Sequence, residues 1–175
     1  MKPIFLTGYM ASGKTTVGKR LAKKLNLQFV DMDAFIENRY RKTIAEIFEE
    51  RNESEFRDIE RRILKEVAGF ENVVISTGGG LPCFFDNMEV MNAAGLTVYL
   101  QVSADELTTR LLSACQKRPL VKNKSAQELK SYVESSLQQR KLFYEKAAII
   151  LDCETLFKKG NFEIKIEEII KQLSS

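Results

Sequence analysis

Residues 8–15 read Gly-Tyr-Met-Ala-Ser-Gly-Lys-Thr, two glycines five apart with a lysine and a threonine directly after the second. Gly8 and Gly13, having no Cβ, let the chain turn sharply and bring main-chain N–H groups close to an anion. Lys14 can then offer its ammonium to the β- and γ-phosphates of a nucleotide, and the Thr15 hydroxyl can ligate Mg²⁺. The apolar run Ile4-Phe5-Leu6 precedes the loop, and Val17, Leu21 and Leu25 follow it at helical spacing. The loop therefore joins a strand to a helix N-terminus, where the helix dipole favours anions. Two glycines at this spacing arise by chance at roughly one position in 200. The adjoining Lys-Thr and the strand–loop–helix frame exclude such a coincidence. The expectation is a chain that binds a nucleoside triphosphate.

A length of 175 residues allows one domain with a full hydrophobic core. A net charge of +3 suits a nucleic-acid binder or a few arginines that grip small anions, and no apolar run approaches a membrane span. The start, Met1-Lys2-Pro3 leading into the first strand, carries no signal-peptide pattern, so a cytoplasmic location is expected. Cys83, Cys115 and Cys153 lack metal-ligand spacing and read as reduced thiols. Histidine is absent, which rules out a Ser-His-Asp triad, a Cys-His pair and a His-ligated zinc. Proton transfer must rest on carboxylates, Lys, Tyr or water.

Strand-like and helical runs alternate along the chain. Strands are expected at Ile4–Leu6, Phe29–Asp31, Val73–Ser76, Thr97–Gln101 and Ala148–Leu151. Helical patterns fill 34–68, with breaks near Arg41 and Asn52, and recur at 87–94, 104–112, 126–146 and 162–173. Such alternation predicts an α/β fold, a five-stranded parallel sheet covered by helices on both faces. The polar, basic stretch 113–124, interrupted by Pro119, reads as a lid loop. Ligands of such sheets bind beyond the carboxyl ends of the strands. The first three expected strands end in the phosphate loop, in Asp31-Met32-Asp33 and in Gly78-Gly79-Gly80.

Each of these endings also has a plainer reading. Asp31 and Asp33 share one side if the strand continues through them, one near the Mg²⁺ shell and one near a substrate hydroxyl; the alternative is that Asp33 caps the next helix. Arg57 lies in a charge-rich segment that could be a solvated helix face, the better reading for Arg61 and Arg62. Phe56, Ile44 and Phe48 set Arg57 apart by suggesting a partly apolar wall. Three consecutive glycines exceed what a turn needs and point to close approach of backbone to a ligand. Arg118 in the basic loop and Arg140 in the long helix would each, alone, be surface residues. Phosphoryl transfer, however, needs cations over the transferring oxygens.

Taken together, these residues resemble shikimate kinase, a member of the nucleoside-monophosphate-kinase-like group of phosphate-loop proteins, over essentially the whole chain. The matching segments are Gly8–Gly18, Phe29–Asp33, Ile44–Phe48, Glu55–Glu60, the glycine triplet, Arg118-Pro119-Leu120, and Arg140 with Tyr144. The resemblance implies a single kinase domain over 1–175, with a substrate-binding helical segment at about 33–62 and a lid at about 113–124. It implies transfer of phosphate from ATP to the 3-hydroxyl of shikimate, a step of aromatic amino acid biosynthesis, by a monomer that engages neither nucleic acid nor membrane.

By the same resemblance Gly8, Ala11, Ser12, Gly13, Lys14, Thr15, Thr16, Arg110 and Arg118 attend the nucleotide, with Arg110 near adenine. Asp33, Arg57, Gly79, Gly80 and Arg140 hold the acceptor, Thr15 and Asp31 the Mg²⁺, and Glu60 orients Arg57. Asp33, Lys14 and Arg118 carry the chemistry. Ala11 stands where the family often has glycine, a replacement tolerated where φ is below zero. The segment after Asp152 lacks the proline that some members place near adenine, so no residue there is assigned. A gluconate kinase is the nearest rival, distinguished by whether Arg57 and Arg140 share a pocket. A non-catalytic nucleotide-binding regulator would have no use for Asp33, Arg57, the triplet and Arg140 together.

Overall fold

Strands β1 (Ile4–Thr7) and β3 (Val73–Ser76) are buried at every position, as short continuous apolar runs in a parallel sheet should be. The computed structural model describes residues 1–113, 125–158 and 161–173. In it these two strands are joined by β2 (Gln28–Asp31), β4 (Leu96–Gln101) and β5 (Ile149–Asp152) in one sheet, ordered β2-β3-β1-β4-β5. All four pairings are parallel.

The helices are α1 (Lys14–Leu25), α2 (Met32–Tyr40), α3 (Ile44–Glu50), α4 (Glu53–Val67), α5 (Asn87–Ala94), α6 (Ala104–Ser113), α7 (Ala126–Tyr144) and α8 (Asn161–Leu173). The connection from β1 to β2 runs one way along the sheet and the later crossovers run the other. Right-handed crossovers therefore put α1 on one face and the helices after β2, β3 and β4 on the opposite face. Arg20 and Lys24 of α1 pair with Glu163 and Glu167 of α8, which fixes α8 beside α1.

The direction of winding reverses between β3 and β1, and an open α/β sheet forms its ligand crevice at such a point. The register there is level: Leu6 pairs with Ser76, and Ser76 with Asp31. The phosphate loop, the glycine triplet and the Asp31 turn thus leave the sheet side by side.

Local signals explain the helices between β2 and β3. Thr43 and Glu46 form a capping box at the start of α3. Asn52 caps α4 through Glu55 N at 3.0 Å. Along α4 the buried stripe is Phe56, Ile59, Glu60, Ile63, Leu64 and Val67, so a glutamate occupies a core position.

Three expectations are corrected. The second strand ends at Asp31 as expected and α2 begins at Met32, so the strand does not continue through Asp33, and Asp31 and Asp33 do not flank a strand residue. The cap of α2 is Asp31 rather than Asp33: Asp31 Oδ1 accepts from Asp33 N at 3.2 Å and Ala34 N at 3.5 Å. Ser113 closes α6, where its Oγ donates to Thr109 O at 3.0 Å, so it is not loop. The remainder of the expected lid, 114–124, lies outside the described residues.

Candidate active site

Gly8 at φ 140° and Gly13 at φ 104° make the turns the phosphate loop needs. Ala11 lies at φ 65°, contrary to the expectation of a negative value. Its methyl is therefore held in the left-handed region, where an L-residue costs about 1–2 kcal/mol. Gly13 is the N-cap of α1 and offers no side chain, and no acidic residue lies in the first turn. The first N–H groups of α1 are left for an anion.

Lys14 Nζ folds back over the loop and donates to Gly8 O at 2.8 Å and Tyr9 O at 2.9 Å. Ser12 Oγ is buried and takes no partner among the described residues. Thr16 is exposed on the same cavity as Thr15.

Thr15 Oγ1 donates to Asp31 Oδ2 at 3.0 Å. A hydroxyl and a carboxylate are hard oxygen donors. Mg²⁺ commonly takes only one or two protein oxygens and fills its octahedron with phosphate and water. No cluster of three His, Cys, Asp or Glu residues suited to a metal occurs among the described residues. The donor set fits a nucleotide-borne Mg²⁺ rather than a protein cage.

Charged side chains crowd the triplet's backbone at Gly78 and Gly80, whereas a Cβ at Gly79 would find ordinary contact distances. A Cβ at Gly78 would lie 2.8 Å from Glu60 Oε1 and 3.0 Å from Asp33 Oδ1. One at Gly79 would sit 3.5 Å from both Gly8 O and Met10 N and 3.8 Å from Arg140 Nη1, and one at Gly80 would lie 2.7 Å from Arg57 Nη1. The sequence suggested close approach of the triplet to a ligand; the close neighbours at Gly78 and Gly80 are side chains of Glu60, Asp33 and Arg57. Adjacent glycines carry the two guanidiniums, so Arg57 and Arg140 converge on one short segment.

Arg57 donates to Glu60 Oε2 at 2.6 Å and to Glu53 Oε1 at 2.9 Å. Its guanidinium carbon stands 4.2 Å from the Phe84 ring centre and 5.4 Å from that of Phe56. Burial, helped by the charge of neighbouring Asp33, lifts the Glu60 carboxyl to about 7 against the lowering pull of Arg57. Arg140 lies over the Tyr9 ring, 5.3 Å from its centre. Burial pushes the Cys83 thiol up to about 11, too high for a nucleophile at neutral pH.

Arg110 does not extend into solvent. It donates to Glu106 at 2.8 Å, to Ala11 O and Ser12 O at 3.4 Å, and to Cys153 O at 2.9 Å. It thus ties the phosphate loop to the segment after β5. Its guanidinium also lies 4.8 Å from the centre of the Phe157 ring. Phe157, half exposed at 52%, was missed by the sequence reading, which assigned nothing beyond Asp152. Arg118 lies outside the described residues. Arg61, expected on a solvated face, pairs with Asp86 at 2.6 Å and stacks on Phe85.

One cavity of about 280 Å³ is lined by Lys14, Thr15 and Asp31 together with Asp33, Thr77 and Gly79; Arg57 and Arg140 are not among its lining residues. A phosphate loop sharing a cavity with the Asp33 carboxylate, at the switch point of a β2-β3-β1-β4-β5 sheet, defines a phosphate-loop kinase of small molecules. A model of the shikimate kinase family matches residues 10–174, and the chain belongs to that family. The shikimate kinase of Parabacteroides distasonis is 54% identical over 161 residues, covering 92% of this chain and 93% of the relative. The crystal structure of shikimate kinase from Bacteroides thetaiotaomicron superposes with a TM-score of 0.95 at 48% identity, covering 99% of both chains. That of the Acinetobacter baumannii shikimate kinase in complex with shikimate gives 0.84 at 29% identity, covering 99% of this chain and 93% of that one.

Proposed function

We propose that this chain, acting as one kinase domain over residues 1–175, transfers the γ-phosphoryl group of ATP to the 3-hydroxyl of shikimate. The observation that carries the assignment of roles is the shared cavity, which Asp33 lines together with Lys14 and Thr15 of the phosphate loop. Lys14 leaves the Gly8 and Tyr9 carbonyls for the phosphates, so that binding nucleotide exchanges two neutral acceptors for charged ones. Thr15 and Asp31 would hold Mg²⁺, which would spread the charge of the phosphates. Asp33 orients the attacking hydroxyl and takes its proton. The loop backbone supplies N–H donors that need no rearrangement. The family resemblance adds Arg118 to Lys14 over the transferring group and puts Arg110 beside adenine.

Arg57, beside Gly80, and Arg140, beside Gly79, grip the acceptor's carboxylate. Glu53, whose side chain is 61% exposed, gives up its bond to Arg57 when the acceptor arrives, whereas Glu60, 4% exposed, keeps its own and holds the guanidinium in place. The same reading has the enzyme work as a cytoplasmic monomer on ATP and shikimate, with neither nucleic acid nor membrane as partner. No helix among the described residues is long and apolar enough to cross a membrane.

Isothermal titration of Arg57→Ala and Arg140→Ala tests the acceptor side. Loss of a charged hydrogen bond costs about 1.5–3 kcal/mol, so each variant should bind shikimate roughly ten- to a hundredfold more weakly. ATP binding should change far less. Parental affinity for shikimate in both variants would remove the acceptor assignment.

A further inference from the structure

Tyr144, the last residue of α7, is fully buried, and its ring stacks on Tyr99 of β4 with centres 5.0 Å apart. Its hydroxyl donates to the carbonyl of Gly79, 65 residues away, at 2.6 Å. The Arg140 guanidinium, one helical turn earlier, is a second polar neighbour of the hydroxyl. Burial pushes the hydroxyl's pKa well above the usual tyrosine range, so it stays protonated and always has a hydrogen for Gly79. Gly79 in turn lies against the phosphate loop at Gly8 and Met10, and Arg140 lies over the ring of Tyr9 from that loop. One buried hydroxyl therefore touches both the backbone that separates the two substrate sites and an arginine of the acceptor site.

We propose that Tyr144 is a positioning residue for phosphoryl transfer, its hydroxyl fixing the path of Gly79 and the bearing of Arg140. Three features carry this. The ring is locked by Tyr99, so the hydroxyl cannot drift. The hydroxyl's hydrogen goes to a triplet carbonyl, and the path of that triplet sets the wall facing Asp33. Arg140 is held by the helix that presents Tyr144, so both ends of the acceptor site share one anchor. The proposal rests on Arg140 as a carboxylate ligand.

Tyr144→Phe keeps the ring and its stacking and removes only the hydroxyl. With circular dichroism unchanged, the KM for shikimate should rise roughly tenfold or more, the scale of losing a buried hydrogen-bond partner, while the KM for ATP stays within about twofold. In an Arg140→Ala background the same substitution should have a much smaller effect on the shikimate KM, because the two residues act as a unit. Unchanged shikimate kinetics in Tyr144→Phe, or an equal rise in both KM values, would overturn the proposal; the second pattern marks a general packing role. If Arg140→Ala itself leaves the shikimate KM unmoved, the acceptor-site reading fails. If Arg140→Ala raises it and Tyr144→Phe does not, only the positioning role fails.

Discussion

Glu60 shows how a single residue can hold a site together and weaken the fold at the same time. It sits on the buried stripe of α4, facing Arg57 at 2.6 Å, and a Cβ at Gly78 would be wedged between its carboxylate and that of Asp33. Burial outweighs the Arg57 charge and lifts its pKa from 4.5 to about 7. An acid whose folded pKa is raised holds more protons in the native than in the unfolded state over that interval. Its contribution to stability is full below about pH 4.5 and declines as pH rises to about 7. Urea titrations at pH 5, 6 and 7 should show the parent losing stability relative to Glu60→Gln by up to about 1.4 kcal/mol per pH unit, the free energy of a tenfold change in proton binding. Parallel pH curves for the two proteins would show that Glu60 ionises normally. The resemblance implied that Glu60 orients Arg57, but its burial was not read from the sequence, because the segment around it is dense with charge. Nor were its neighbours across the site, Asp33 and the triplet, because they lie on other elements.

Most of the elements were readable because each follows one local rule. Val73–Ser76 is a continuous buried run, α4 keeps a helical stripe, and α3 opens on a capping box. The misreading at Asp31-Met32-Asp33 arose where two rules compete over three residues. Alternating acids fit a strand, but an aspartate followed by a helical run also fits a cap, and the cap prevailed two residues earlier than expected, at Asp31. Ala11 is the converse case: its φ of 65° is imposed by the loop's path, which no local propensity of alanine would choose. The capping box at Thr43 can be tested directly, since Thr43 Oγ1 accepts from Glu46 N and the Glu46 carboxylate accepts from Thr43 N. Thr43→Ala should cost about 1 kcal/mol and lower the melting temperature by about 2–4 °C. An unchanged melting temperature would mean that α3 is held by Ile47 packing alone.

At the scale of the molecule, the sheet order decides which chemistry meets. Strand alternation predicted parallel pairing but not the order β2-β3-β1-β4-β5, which places the triplet beside the phosphate loop. That order makes Asp33, Lys14 and Gly79 neighbours on one cavity, although they come from distant parts of the chain. The contacts of Arg57 with Phe84 and of Tyr144 with Gly79 also depend on this assembly, and no spacing in the sequence reveals them. The central claim, that this assembled cavity phosphorylates a carboxylate-bearing ring alcohol, is tested most directly by ADP release from ATP, assayed with shikimate and gluconate side by side. Sustained turnover is expected with shikimate, and a kcat/KM for gluconate lower by roughly a hundredfold or more, because gluconate leaves polar groups of the site unpaired. Equal or faster turnover with gluconate, or no ADP release with shikimate, would contradict it.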